Sequence, residues 1–173
     1  MSRRDQIRAD VLANGFDPVR NTFVQSYGSD ELDASLLRLP AVGFLPASDP
    51  RMTGTVAAVR RGLSVGDGLL LRYSARAQGA VDGLDETENA FLACSFWLAD
   101  HLAAAGRHDE AGELFEGLVA LGNDVGLLAE QYDPARRELT ANFPQALSHL
   151  ALVDTALLLA RQQVPSARAV PHR

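Results

Sequence analysis

The sequence predicts an all-α protein of six helices, arranged as an arc of an α/α toroid. Three observations predict it. The apolar residues recur with a helical period nearly throughout. Amphipathic helices alternate with helices that are apolar around most of their circumference. The chain has 173 residues, 47% hydrophobic and 22% charged, enough for one core of ordinary size. Such alternation suits two concentric layers, the outer helices with one wet face and the inner helices with none. Three helical hairpins make half a ring, and no convincing internal repeat accompanies them.

The first helix is expected from about Arg3 to Ala13, with Ile7, Val11 and Leu12 on its inner stripe and Asn14-Gly15 ending it. Thr22 to Tyr27 reads as a short extended piece. A second, short helix runs from about Asp30 to Leu37, stopped by Pro40. Asp49-Pro50 opens the third, with Asp as cap and Pro at the first helical position, and it reaches about Arg61. A polar, Gly-rich segment fills 62–85. The fourth helix, about Glu88 to Ala105, carries Phe91, Leu92, Cys94, Phe96, Trp97, Leu98 and Leu102 on most sides, so burial all round is expected. The fifth, about His108 to Leu121, turns Ala111, Leu114, Phe115, Leu118 and Val119 inward and Asp109, Glu113 and Glu116 outward. A polar loop follows from Gly122 to Asn142. The sixth helix, from near Pro144 to about Gln162, is again apolar nearly all round. The tail, 164–173, is expected to be disordered.

Composition excludes several classes. No apolar run approaches the ~20 residues of a membrane span, and the charged start lacks a secretory h-region. One cysteine, Cys94, leaves no internal disulfide and no cysteine zinc site, so a cytoplasmic location is expected. His101, His108, His149 and His172 have no metal-ligand spacing, and neither a phosphate loop nor a nucleophile elbow is present, so no metal or cofactor is expected. The net charge of -6 argues against nucleic acid and anionic membrane surfaces. All 16 basic residues are arginine, a feature of codon usage with no functional content.

Three loops at the ends of the buried helices combine carboxylates, one arginine, aromatics and amides: 71–88, 126–134 and 142–145. That mixture suits a sugar, because aromatic faces pack on the ring while Asp, Glu, Arg, Asn and Gln bond its hydroxyls. Glu130, after an apolar tripeptide and before Gln131-Tyr132, reads as a semi-buried carboxylate that could activate water, or as a solvated loop residue. Arg72, beside Tyr73, reads as a substrate-binding guanidinium or a structural ion-pair partner. Phe91 and Trp97 fit the core pattern, Phe91 being the better placed for a cleft wall. His149 and Asp154 read as satisfied polar groups within the sixth helix, and Cys94 as a small buried hydrophobe.

The stretch Glu88-Asn89-Ala90-Phe91-Leu92-Ala93-Cys94-Ser95-Phe96-Trp97-Leu98 resembles the inner-helix signature of the family 15 glycoside hydrolases: glucoamylases, glucodextranases and bacterial trehalases. So does Asn123-Asp124-Val125-Gly126-Leu127-Leu128-Ala129-Glu130-Gln131-Tyr132-Asp133-Pro134, followed by Asn142-Phe143-Pro144-Gln145-Ala146-Leu147-Ser148-His149. Upstream, Leu32 to Leu37 and Gly43-Phe44-Leu45 with Asp49-Pro50-Arg51 match in order. The likeness covers about residues 3 to 163.

The resemblance implies an (α/α)6 barrel and an inverting hydrolysis of an α-glucoside such as trehalose or an α-glucan oligosaccharide. One carboxylic acid protonates the glycosidic oxygen while a second carboxylate deprotonates water on the opposite face. Carried over position by position, Glu130 matches the general base and Ser148 the serine that hydrogen-bonds it. Arg72 and Tyr73 match the Arg-Tyr pair that holds sugar hydroxyls. Phe91 matches an aromatic of the first subsite, Glu88 a polar position at the mouth of the inner helix, and Gln131 the amide after the base, and all three are expected, with Arg72 and Tyr73, to bind the substrate. The family's general acid lies in a Gly-Ile-Trp-Glu block that this sequence does not contain, and Asn89 stands where many bacterial members have glycine. The expectation is therefore that residues 1–163 are the C-terminal half of a catalytic domain, bearing only the base side of the site. The partners expected are the sugar and either an N-terminal half or a second copy. The alternative is a non-catalytic remnant or assembly subunit with the same fold.

Overall fold

The computed structural model describes residues 2–74 and 88–163. Among them are five α-helices, one 3-10 helix and three small antiparallel sheets, a helix-rich fold with one α-helix fewer than the six expected. The disorder expected for 164–173 and the part of the first polar loop at 75–87 lie outside the described residues.

Helix α1 (Arg3–Asn14) starts with a capping box: the Ser2 hydroxyl accepts from the Asp5 N–H, and the Asp5 carboxylate accepts from the Ser2 N–H. Val11 and Leu12 pack, half-buried, on a small cluster centred on Phe23, Leu45 and Met52. Ile7, expected on the inner stripe, is 58% exposed. The hairpin of β1 (Phe16–Asp17) and β2 (Thr22–Phe23) follows, and the Phe16 and Phe44 rings meet Phe23 edge-on at 5.1 and 5.9 Å.

The second expected helix is a short 3-10 helix, Ala34–Arg38, because Asp33 caps it through the Ser35 N–H and only five residues separate the cap from the turns before Gly43. Helix α2 (Pro50–Gly62) begins as the sequence indicates. Asp49 Oδ1 accepts from the Arg51 N–H, Pro50 occupies the first turn, and the Arg51 guanidinium holds the Asp49 carboxyl down to about 2. Strands β3 (Ser64–Gly66) and β4 (Leu69–Leu70) form a hairpin that carries the chain back to the core.

The core is organised around α3 (Leu92–Ala104), along which α4 (His108–Val119) and α5 (Ala146–Gln163) both pack. Ten of the thirteen α3 residues are buried. Leu92, Phe96, Leu98 and Leu102 are nearly solvent-free, each contributing roughly 1.5–3 kcal/mol by burial. The small Ala93, Ser95, Ala99 and Ala103 let neighbours approach. Buried Ser95 is satisfied, accepting from the Leu70 N–H at 3.0 Å and donating to the Phe91 carbonyl at 3.4 Å. Cys94 is fully buried among these residues, which pushes its thiol pKa up.

Further expectations need correction. The fourth helix starts at Leu92 rather than Glu88, because Ala90–Phe91 is a strand, β5, paired with β6 (Gln131–Asp133). The loop at 122–142 contains a hairpin of β6 and β7 (Glu138–Thr140). Its turn forms because Asp133 Oδ1 accepts from the Ala135 and Arg136 N–H groups, while Arg137 takes a positive φ of 57°. Val119, expected inside, is 43% exposed at the end of α4. Helix α5 is buried on one side only: Ser148, Ala151 and Thr155 face α3, whereas Leu147, Leu150, Val153 and Leu157 are open, and Asp154 is exposed rather than a core polar group.

Candidate functional site

The three-stranded sheet β5-β6-β7 lies at the N-terminal end of α3 and gathers most of the candidate residues. No side chain caps α3. Its first N–H, Leu92, donates instead to the Glu130 carbonyl at 3.0 Å. The Glu130 N–H in turn donates to the Asn142 carbonyl at 2.9 Å. Glu130 is thus fixed through its backbone between the start of the buried helix and the segment leading to α5. On the α5 side, the Gln145 N–H donates to the Leu128 carbonyl, and His149 Nε2 accepts from the Leu128 N–H at 3.2 Å. That bond leaves His149 Nδ1 as the donor to the Gln145 carbonyl at 2.7 Å.

The Glu130 side chain is half-buried, not a solvated loop glutamate. Each carboxylate oxygen takes one amide donor: Asn142 Nδ2 to Oε2 at 2.9 Å and Gln145 Nε2 to Oε1 at 3.2 Å. A carboxylate has roughly four lone-pair sites, so two donors orient it and leave acceptor capacity for water. Ser148 does not hold this carboxylate. Its hydroxyl, fully buried, donates to the Ala129 carbonyl at 2.7 Å. The serine therefore secures the backbone one residue before Glu130, and the two amides take the role expected of it.

Arg72 adopts the ion-pair reading. Its guanidinium meets the Glu88 carboxylate through both Nε and a terminal nitrogen, with the Glu88 side chain only 10% exposed. The same guanidinium lies over the Tyr73 ring at 4.4 Å and the Phe91 ring at 5.2 Å. Its carbonyl accepts from the Ala34 N–H at 2.8 Å, tying the segment to the 3-10 helix. Phe91 and Tyr73 are each 5% exposed, so they support Arg72 from beneath and do not stand open as cleft walls. Gln131 pairs with Phe91 across the sheet, and its Oε1 accepts from the Asn89 N–H at 3.1 Å. Asn89 also reaches Thr140 Oγ1 at 3.3 Å. Gln131 therefore positions the segment that presents Glu88.

Arg72, Tyr73, Glu88, Phe91, Glu130 and Gln131 are thus brought to one end of α3, with Ser148 behind them. The sequence singles out loop 142–145 but does not pair its amides, Asn142 and Gln145, with Glu130, because periodicity assigns amides no partner across a loop; His149, with both ring nitrogens bonded, is the satisfied polar group expected. Among the described residues, no three His, Cys, Asp or Glu side chains gather as a metal site, and no helix is long and apolar enough to cross a membrane.

The model of the glycosyl hydrolases family 15 matches residues 1–157. A trehalase of Mycolicibacterium smegmatis is 42% identical over 159 residues, which are 92% of this chain and 23% of that protein. A trehalase of Thermoplasma volcanium is 40% identical over 155 residues, 90% of this chain and 24% of that protein. A solved wild-type glycosidase superposes with a TM-score of 0.75 at 26% identity, over 90% of this chain and 43% of its own. A variant glycosidase solved in complex with glucose superposes with a TM-score of 0.74 at 26% identity and the same coverage. The chain spans about a quarter of the length of the curated relatives it matches.

Proposed function

Because this chain belongs to glycosyl hydrolase family 15, we propose that it supplies the general-base side of an inverting α-glucoside hydrolase, as the C-terminal half of an α/α toroid, with trehalose as the foremost substrate. The observation that carries this reading is the Glu130 carboxylate, half-buried and gripped by Asn142 and Gln145. An inverting hydrolysis needs a carboxylate aimed at a water on the face opposite the leaving group. Glu130 takes the water's proton as the water attacks the anomeric carbon, and the glycosidic oxygen leaves with a proton from the general acid. Residues 1–163 form this half-domain. The Arg72–Glu88 pair, seated on Tyr73 and Phe91, offers charged hydrogen-bonding groups to sugar hydroxyls at the same end of α3. Gln131 and Ser148 hold the strand and loop on which Glu88 and Glu130 sit. Trehalose is favoured because the two trehalases are 40% and 42% identical to this chain.

The acid comes from elsewhere in the catalytic domain. The one tryptophan, Trp97, is followed by Leu98, so the chain contains no Trp-Glu pair. That same feature favours the second reading, a non-catalytic assembly subunit of the same fold. The test is a chimera in which this chain replaces the matched 159 residues of the Mycolicibacterium smegmatis trehalase. Hydrolysis of trehalose by the chimera supports the first reading. A folded but inactive chimera supports the second.

A further inference from the structure

His149 stands half-buried in the first turn of α5, and the hydrolysis proposed above gives it no task. Its ring joins two backbone segments. Nε2 accepts from the Leu128 N–H at 3.2 Å, and Nδ1 donates to the Gln145 carbonyl at 2.7 Å. Both partners serve Glu130. Leu128 begins the short run of chain that ends in the carboxylate, and Gln145 donates its side-chain amide to Glu130 Oε1 at 3.2 Å. The Gln145 N–H donates back to the Leu128 carbonyl at 3.0 Å. Leu128, His149 and Gln145 therefore close a ring of three hydrogen bonds. Glu130 is tied to that ring twice, through the chain at Leu128 and through its carboxylate at Gln145.

Only one form of the imidazole serves both partners. The Leu128 N–H needs an acceptor, so Nε2 carries no proton, and the Gln145 carbonyl needs a donor, so Nδ1 carries it. The opposite tautomer would set two donors face to face at Leu128 and two acceptors at Gln145. Leu128 is 1% exposed, and a buried N–H that loses its acceptor is costly. The preceding residue of α5, Ser148, holds the Ala129 carbonyl. Two consecutive side chains of the helix thus fasten the two residues that lead into Glu130.

We propose that His149 is a positioning residue for Glu130. As the neutral imidazole protonated on Nδ1, it locks the chain from Leu128 to Glu130 against Gln145, so that the carboxylate and the amide that grips it keep one geometry. It acts through Leu128 and Gln145 and touches no reacting atom. This rests on the reading of Glu130 as the base and adds the residue that aims it. Misplacing a reacting group by about 1 Å costs on the order of 10²-fold in rate, so such a lock governs turnover more than substrate binding.

The test has two arms. In the full 173-residue chain, nitrogen-15 NMR reads the ring, with Nδ1 expected to be protonated and Nε2 bare. The reverse tautomer overturns the proposal. Amide exchange at Leu128 is expected to quicken at least about tenfold in His149→Leu, through loss of the bond to a buried donor. Glutamine carries its amide about as far from Cα as Nε2, whereas asparagine reaches only as far as Nδ1, so His149→Gln should slow that exchange again and His149→Asn should not. In the Mycolicibacterium smegmatis chimera, His149→Leu is expected to lower kcat for trehalose about 10–100-fold with KM little changed. His149→Gln should regain more of that loss than His149→Asn. Parental kcat in His149→Leu, a loss confined to KM, or equal rescue by the two amides overturns the proposal. Should His149→Leu fail to fold, the comparison of glutamine with asparagine decides by the same criterion. A parent chimera without activity, beside the expected tautomer and exchange pattern, would defeat the reading of Glu130 as the base and leave the His149 lock standing.

Discussion

Asn142 grips Glu130 twice: its side-chain amide donates to Glu130 Oε2 at 2.9 Å, and its backbone carbonyl accepts from the Glu130 N–H at 2.9 Å. One residue thereby sets both the place of the carboxylate and its rotation. Gln145 supplies the second amide, to Oε1. Replacing either amide by an apolar side chain of similar size, Asn142→Leu or Gln145→Leu, is expected to lower turnover of trehalose by the chimera roughly 10–100-fold, the worth of one hydrogen bond to a charged group. The Michaelis constant should change little. Turnover equal to the parent's in both variants would show that the amides do not position the base.

The Arg72–Glu88 pair makes a stability prediction that needs no enzyme activity. Glu88 is 10% exposed, and Arg72→Leu leaves its carboxylate without this cation. The expected loss in urea unfolding is about 1–3 kcal/mol. Arg72→Lys restores the charge but neither the two-pronged contact nor the flat stacking on Tyr73 and Phe91, so it should recover only part. Full recovery by lysine would show that charge alone matters.

Gly54 tests the packing of α2 on the β1–β2 hairpin. A Cβ there would stand 2.0 Å from the Asn21 carbonyl oxygen, and Asn21 is held at a positive φ of 52°. In an exposed helix, alanine would gain about 1 kcal/mol over glycine. Here Gly54→Ala is expected to destabilise instead, by about 1–3 kcal/mol, because backbone must move to admit the methyl. A higher melting temperature for the variant would contradict the close approach.

His101 sets a pH dependence. Burial holds its imidazole below the ordinary value of 6.5, the Leu37 carbonyl opposes that shift, and Arg107 adds to it. The ring is therefore neutral in the folded chain at a pH where the unfolded chain has begun to protonate it. Unfolding then takes up a proton, so stability falls as pH drops through 6.5 toward the folded value. Asp100, raised above 3.8 by burial, works in the opposite direction at lower pH. The parent should lose more stability between about pH 7 and about pH 5.5 than His101→Asn does. Parallel curves for the two would contradict the assignment.

The long helices were legible because their apolar spacing and caps agree. Asp49-Pro50 marked the start of α2, and the run from Leu92 to Leu102 marked a buried helix. The strands were not, because two or three residues are too few to show alternation. Ala90 and Phe91 read as a first helical turn until Tyr132 and Gln131 pair with them. The wet face of α5 was invisible for a different reason: Leu150 and Leu157 carry the same signal whether or not a partner covers them. In the site, the family likeness singled out Glu130 and Arg72. It assigned Ser148 to the carboxylate, whereas the hydroxyl reaches the Ala129 carbonyl one residue earlier. Sequence spacing cannot distinguish those two acceptors.

The central claim is that Glu130 is the base of an inverting hydrolysis. It is tested most directly by the initial rate of trehalose hydrolysis in the chimera with and without Glu130→Gln. Glutamine keeps the shape and removes the proton acceptor. The expected result is a rate loss of about 10²–10⁴-fold, with trehalose binding retained and no measurable activity from the 173-residue chain alone. A Glu130→Gln chimera that turns over trehalose at nearly the parent rate would contradict it.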